Sequence, residues 1–192
     1  MQQHPTTQYA TDIVYGKMIS CKWEKLACQR HLNDLKKSES DKSYPYVFDE
    51  TRANRIIDWF KYCRHVRGPF AGKPIELDPW QKFDLGCMFG WVDRVTGRRR
   101  FKTAYIRVAR GNTKSTMMSG VANYGMCADA FYPPGKPEAA VYEASPEVVC
   151  VAVDREQARI VWGDAQQIGI ASPDISKRLN IQKTKIKNFL RH

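Results

Sequence analysis

Apolar positions recur at helical steps in the first part of the chain and at strand-like steps further on. From Thr11 to Leu35 they return every three or four residues, at Ile13, Val14, Met18, Ile19, Trp23, Leu26, Ala27, His31 and Leu35, which predicts a helix. Residues 1–10 are polar and predicted to fray, and residues 36–45 have loop composition. Phe48-Asp49-Glu50 opens a second helix with Asp49 as its cap. Ala53, Ile56, Ile57, Phe60 and Cys63 form its apolar face, and Gly68-Pro69 ends it. Asp78 and Pro79 then predict the start of a third helix, running through Phe83, Leu85, Met88 and Phe89.

The period changes after that. Asp93 to Val108 reads as a hairpin, with its turn at Thr96-Gly97 and Arg98-Arg99-Arg100-Phe101-Lys102 opening the second strand. Within it, Tyr105-Ile106-Arg107-Val108 alternates apolar and charged residues, as a half-buried strand does. A loop, Ala109-Arg110-Gly111-Asn112-Thr113-Lys114-Ser115-Thr116, leads into a mostly apolar helix from Met117 to Tyr124. Phe131 to Pro137 is a connection, and Val148 to Val153 is a continuous apolar run, as expected of a strand buried on both faces. Asp154-Arg155-Glu156-Gln157-Ala158 starts a further helix through Trp162. Strand, loop, helix, strand, helix predicts a right-handed crossover and a parallel sheet. The expected fold is therefore α/β, a partial parallel sheet over residues 69–192 preceded by a helical N-terminal segment over residues 1–68.

At 192 residues the chain can hold one good-sized core, or a small domain and part of another. Its 31 Lys and Arg against 20 Asp and Glu give a net charge of +11, which favours a polyanionic partner such as nucleic acid. No apolar run reaches membrane-spanning length and no signal-peptide pattern opens the chain. The six cysteines read as reduced cytosolic thiols. Cys21, Cys28, His31, Cys63 and His65 could be gathered into a zinc set on paper. Cys21 and Cys28 are seven apart, however, and there is no C-x-x-C pair, so buried thiols are the better reading.

The loop carries the candidate chemistry. A strand, a tight loop and Lys-Ser-Thr at a helix start make the layout of a phosphate-binding loop, in which helix N–H groups and the helix dipole face the phosphates. Lys114 would reach the terminal phosphates and the Ser115 hydroxyl would ligate Mg2+. As a bare pattern the match is incomplete, because Val108 and Thr113 stand where glycines belong. A basic strand-to-helix turn without a ligand stays open. So do two readings of Gln81, helix packing or an amide for one planar partner such as an adenine edge. Arg98, Arg99 and Arg100 are either a solvated edge strand or a strip that contacts nucleic-acid phosphates. Asp154, with Glu156 near it, ends an apolar run as a magnesium-holding acid would.

Tyr15-Gly16, Cys21-Lys22-Trp23, Arg30 to Leu35, Phe48-Asp49-Glu50, Leu77 to Gln81, Phe89-Gly90-Trp91 and Arg99-Arg100-Phe101 follow in one order. Ala109-Arg110-Gly111-Asn112, Lys114-Ser115-Thr116 and Asp154 to Ala158 continue it. Over nearly the whole chain this order resembles the large terminase subunit of tailed bacteriophages. The resemblance implies a P-loop NTPase-like motor that hydrolyses ATP with Mg2+ and drives double-stranded DNA into a prohead. That family's loop is commonly Arg-Lys-Asn-Gly-Lys-Ser, so the missing first glycine is normal for it and Thr113 is the departure. The resemblance places Gly111, Asn112, Thr113 and Thr116 with Lys114 and Ser115 around the nucleotide, Arg110 near the phosphates, and Gln81 at the adenine. It puts Asp154 on the strand before Walker B, as a structural residue. It further implies that Walker B, the coupling motif and an RNase H-like nuclease lie past His192, so that this stretch alone is inactive. The implied partners are a portal protein, a small terminase subunit and further copies in a ring, in the host cytoplasm and with no membrane. The rival readings are another P-loop translocase of helicase type, or a basic DNA-binding module without catalysis.

Overall fold

A computed structural model describes residues 3–133, 136, 139–182 and 186–188, which fall into two compact units. The connection expected at residues 131–137 lies partly outside the described residues.

The first unit comprises Met1–Ile57, Leu77–Ala104 and Tyr132–Ala139. It opens on α1 (Pro5–Val14). Residues 1–10 were expected to fray, yet Thr6, Thr7, Tyr9 and Ala10 are buried on this helix. His4 caps it, its Nδ1 accepting from Thr6 N at 3.3 Å. The single helix expected from Thr11 to Leu35 is two, because Gly16, at φ 75°, turns the chain out of α1. Such a backbone suits glycine and leaves α2 to start afresh at Lys22–Ser40. β1 (Tyr46–Phe48) follows, then α3 (Glu50–Trp59), whose start Asp49 caps by accepting from Arg52 N at 3.0 Å. α4 (Pro79–Gly90) runs straight into β2 (Trp91–Asp93), which pairs antiparallel with β1, Val47 opposite Val92. Beyond the turn the chain comes back along β2, with Asp93 N bonded to Arg98 O and Arg100 N to Trp91 O, both at 2.9 Å. The turn of the expected hairpin is therefore present, and its second strand is reduced to this short return.

Tyr9, Ala10, Ile13, Cys28, Phe83, Cys87 and Trp91 make the core of this unit. His31 stands at its centre, 2% exposed. Trp91 Nε1 donates to His31 Nδ1 at 3.0 Å, so that nitrogen is unprotonated and Nε2 carries the hydrogen toward Thr7 Oγ1 at 3.1 Å. α1 crosses α4 at Gly86, where an added Cβ would come within 1.9 Å of Thr6 Oγ1.

Two groups here titrate in opposite senses. Burial, reinforced by the His4 charge, holds His31 down to about 4. Burial, reinforced by the Glu24 charge, pushes Asp84 up to about 7. The His31 contribution is complete above the ordinary histidine value and is lost as pH falls toward about 4. The Asp84 contribution is complete near the ordinary carboxylate value and is lost as pH rises toward about 7. The two slopes oppose each other over one window, so each offsets part of the other there. Asp84→Asn should remove one of them. We expect a gain of about 1–3 kcal/mol above neutral pH, and a new loss of stability on acidification. Urea denaturation across a pH series measures both, and an unaltered profile would refute the assignment.

The second unit comprises Asp58–Glu76, Tyr105–Phe131 and Ala140–His192. Its helices are α5 (Lys114–Cys127), α6 (Arg155–Ala171) and α7 (Pro173–Ser176). Two short antiparallel pairs accompany them, β3 (Ala130–Phe131) with β4 (Val141–Tyr142) and β5 (Leu179–Ile181) with β6 (Ile186–Asn188). α5 lies against α6 through small and polar side chains that bond to its backbone. Ser119 Oγ donates to Val161 O at 2.9 Å and Asn123 Nδ2 to Ala165 O at 3.0 Å. On another face, Trp59 Nε1 donates to Gly120 O at 3.0 Å. A Cβ on Gly120 would meet the Phe60 ring at 2.4 Å, so this close approach requires glycine.

The parallel sheet is not found among the described residues, whose ladders are all two-stranded and antiparallel. Val148 to Val153 was expected to be a strand buried on both faces. It forms no ladder, and it is largely open, with Cys150 half-buried and Val151 86% and Val153 98% exposed. Tyr105 to Val108 also lacks a ladder, yet it keeps the alternation of a strand, with Ile106 and Val108 half-buried and Tyr105 and Arg107 exposed. Apolar composition supplies the tendency to form a strand; hydrogen bonds from a neighbouring strand supply the strand itself.

Candidate functional site

The lysine loop sits wholly in the second unit. α5 is anchored just past its start, where Met117 is 1% exposed and Ser119 Oγ bonds back to Ser115 O at 2.8 Å as well as across to α6. The loop ahead of it is compact. Gly111 has φ 91°, Asn112 Nδ2 donates to Ala109 O at 3.3 Å, and Thr113 takes φ 49° and ψ 17°. Thr113 O then accepts from Met117 N at 2.9 Å, the first helical bond of α5. Thr113 alone among the described non-glycine residues has a positive φ, and it is β-branched, the poorest kind of side chain for that region.

Lys114 does not point away from the loop. Its Nζ reaches back six residues to Val108 O at 3.4 Å, which closes residues 108–114 into a ring. Arg110, Gly111, Asn112, Thr113 and Lys114 are exposed, and Ser115 and Thr116 are half-buried at the foot of α5. Chemically, this is an open helix start with its positive dipole end, an ammonium held over the loop mouth and a hydroxyl one residue on. Such an arrangement receives an anion.

The other residues singled out from sequence lie elsewhere. Gln81 belongs to the first unit and is 3% exposed. Its Oε1 accepts from Asp78 N at 2.9 Å, completing a capping box at the start of α4. Arg98 and Arg99 are exposed, and Arg99 stacks on Phe89 with its guanidinium 4.7 Å from the ring centre. Arg100 is turned inward. It donates to Asp34 Oδ2 at 2.7 Å and lies against Tyr46 at 4.7 Å and Phe101 at 4.9 Å. Asp154 caps α6, accepting from Gln157 N at 2.8 Å.

The sulfur and imidazole groups do not converge. Cys28 and His31 are in the first unit, Cys63 and His65 in the second, and Cys21 is exposed. Burial pushes the Cys28 and Cys63 thiols up to about 12. Among the described residues no three of His, Cys, Asp and Glu gather to hold a metal ion, and no helix is long and apolar enough to cross a membrane. Sequence reasoning missed two participants. The Val108 carbonyl, a backbone atom, leaves no signature in sequence, whereas Asp34 could have been matched to an arginine from its place on the inward face of a helix.

The loop and the helix it opens define a candidate phosphate-binding site in a chain of mixed helices and small sheets. Residues 79–190, more than half of the chain, match the family described as the terminase large subunit, ATPase domain. The chain belongs to this family, whose members supply the ATPase of DNA-packaging motors. No curated protein and no solved structure matches it.

Proposed function

We propose that Ala109–Thr116 is a variant Walker A loop through which this chain binds ATP to power translocation of double-stranded DNA into a prohead. The observation that carries the reading is the Lys114 ammonium folded over its own loop onto Val108 O at 3.4 Å. A lysine used only for solubility would extend into water. This one is held back against the loop that opens α5.

The residues present fit a magnesium nucleotide. The N–H groups of residues 111–116 and the Lys114 ammonium would hold phosphate oxygens, and Ser115 Oγ would take the Mg2+. ATP brings the phosphoanhydride whose cleavage releases the free energy. Gly111 and Asn112 shape the loop, Thr116 backs it, and Arg110, exposed beside it, adds positive charge at the terminal phosphate. An adenine contact by Gln81 would require its amide to leave the capping box, which makes it the most demanding part of this reading. Arg98 and Arg99 are the DNA-facing cations. The same reading includes a nuclease activity elsewhere in the parent chain, a portal protein and a small subunit as partners, a ring of copies and action in the host cytoplasm. It also takes residues 1–68 as a helical lead-in to an ATPase core over 69–192.

Thr113 provides the test. Holding a β-branched residue at φ 49° costs roughly 1–3 kcal/mol, and glycine removes that strain. Where ATP binding imposes that strain, it corresponds to about ten- to hundredfold in affinity, so Thr113→Gly is expected to bind ATP more tightly by up to that factor, with Thr113→Ala close to the unsubstituted chain. Titration with a fluorescent ATP analogue, competed by unlabelled ATP and by AMP, measures both. Equal competition by AMP and ATP would overturn the phosphate-loop reading. Weaker binding by both variants would show instead that the Thr113 hydroxyl serves the phosphates.

A further inference from the structure

The end of the first unit around the α1–α2 connection has a feature that the ATPase reading does not use. Within twelve consecutive residues, five large apolar side chains are open to solvent. Tyr15 and Trp23 are each 74% exposed, Ile19 is 105%, and Met18 and Leu26 are 41% and 50%. Single exposed apolar residues are unremarkable. Large exposed apolar side chains gathered in one short stretch are a different matter, because apolar patches on a monomer's surface are often binding surfaces.

The split of the first helix explains how they come to be open. Gly16 turns the chain out of α1, so Met18 and Ile19, which helical periodicity would have placed toward the core, are carried on the connection instead. On α2 the inward face is Glu24, Cys28 and His31, which leaves Trp23 and Leu26, one turn apart, on the outward face.

The exposed charge within the stretch is basic. Lys17, Lys22 and Lys25 lie within the same stretch, and the Lys22 ammonium sits 5.4 Å from the Trp23 ring centre. Glu24, the carboxylate inside the stretch, faces inward. Its Oε1 is buried, and its carboxyl is raised by burial despite a hydrogen bond from Tyr9. Asp12, just ahead of the stretch, is held by Lys17 at 3.1 Å. What remains for a partner is an apolar ridge with a basic rim.

We propose that this ridge is a docking surface for an acidic amphipathic helix of another protein, with its apolar stripe on Ile19, Trp23 and Leu26 and its carboxylates against Lys22 and Lys25. Nucleic acid would satisfy the lysines, but it offers little to fully exposed aliphatic side chains such as Ile19. Trp, Tyr and Met are the residues enriched at protein interfaces, and an aromatic anchor beside an i, i+3 aliphatic partner is the way one helix receives another.

The test uses the purified 192-residue chain and a labelled synthetic helix with a leucine stripe and a glutamate polar face. Two controls accompany it, the same stripe with lysines in place of the glutamates, and a single-stranded oligothymidylate. The acidic peptide should bind in the micromolar range, about tenfold more tightly than its lysine counterpart, and added salt should weaken it. The double variant Trp23→Ala, Ile19→Ser should lose about tenfold or more of that affinity with an unchanged thermal melt, because both side chains are already exposed. Any one of three results would overturn the proposal: no peptide binding at millimolar concentration, equal affinity for both peptides, or an affinity the double variant does not alter. So would oligothymidylate competing through the same two residues, or a dimer of the chain, seen by sedimentation, that the double variant dissociates.

Discussion

In the complete motor, Lys114→Ala is expected to abolish ATP turnover and DNA packaging while leaving the fold as it is. The two halves of that expectation rest on different features. Lys114 is exposed and its recorded bond is to the Val108 carbonyl at 3.4 Å, so truncation opens no cavity and strands no buried partner. In the proposed phosphate loop its ammonium is nevertheless a charge that meets the terminal phosphates. Removing one preorganised donor from a charge-stabilising site costs about 10²–10³-fold in rate, and loss of a full positive charge belongs at the upper end. Lys114→Arg keeps the charge but changes its shape and reach, and should restore binding more than turnover. Phosphate release, nucleotide titration and a thermal melt on the three proteins separate these effects. A Lys114→Ala motor that still packages DNA would exclude this loop as the engine.

The largest effect on stability is expected from Arg100→Ala. The Arg100 and Asp34 side chains are 18% and 8% exposed, joined at 2.7 Å, and the second Asp34 oxygen accepts from Tyr44 OH at 2.8 Å. Truncating the arginine leaves a carboxylate buried among aromatic rings with one hydroxyl for company. Breaking a buried pair from one side costs about 3–5 kcal/mol, and the lost packing of the guanidinium on Tyr46 and Phe101 adds to it. Adding Asp34→Asn should recover a large part, because it removes the stranded charge. Chemical denaturation of the two single variants and the double gives the coupling directly. Arg98→Ala and Arg99→Ala serve as the contrast. They should leave stability within about 0.5 kcal/mol and lower the salt slope of DNA binding by about one each. If Arg100→Ala proved as mild as these two, the three arginines would form one solvent-facing strip after all.

The sequence revealed local chemistry better than partnership. Asp49 and Asp78 are legible as helix caps because a cap is a contact across three residues, and each caps the helix expected of it; Asp154, read as a structural residue, proves to be the cap of α6. The lysine loop is legible for the same reason, since its turn, its glycine and its helix start are consecutive. Periodicity misled where a single residue overrules it: Gly16 breaks a helical pattern that runs on unchanged past it. It misled again at Val148 to Val153, where burial requires neighbouring strands that no local pattern can report. Arg100 could not be told from its two neighbours, which are surface arginines. What distinguishes it, a carboxylate 66 positions earlier in the chain, is a long-range fact.

The open run from Val148 to Val153 also sets how the protein ages. Six residues with strong strand propensity and no charge, Val149 among them at 69% exposure, meet the requirements for joining to a like segment of another molecule. Pro146 and Glu147 stand at one end and Asp154 and Arg155 at the other, so a second copy sliding alongside meets a stiff proline or a charge before its register is complete. The balance is kinetic. Pairing between copies grows with concentration, whereas the flanking charges act at every concentration. A dilute solution should therefore keep for long periods and a concentrated one should form strand-rich aggregates after a lag.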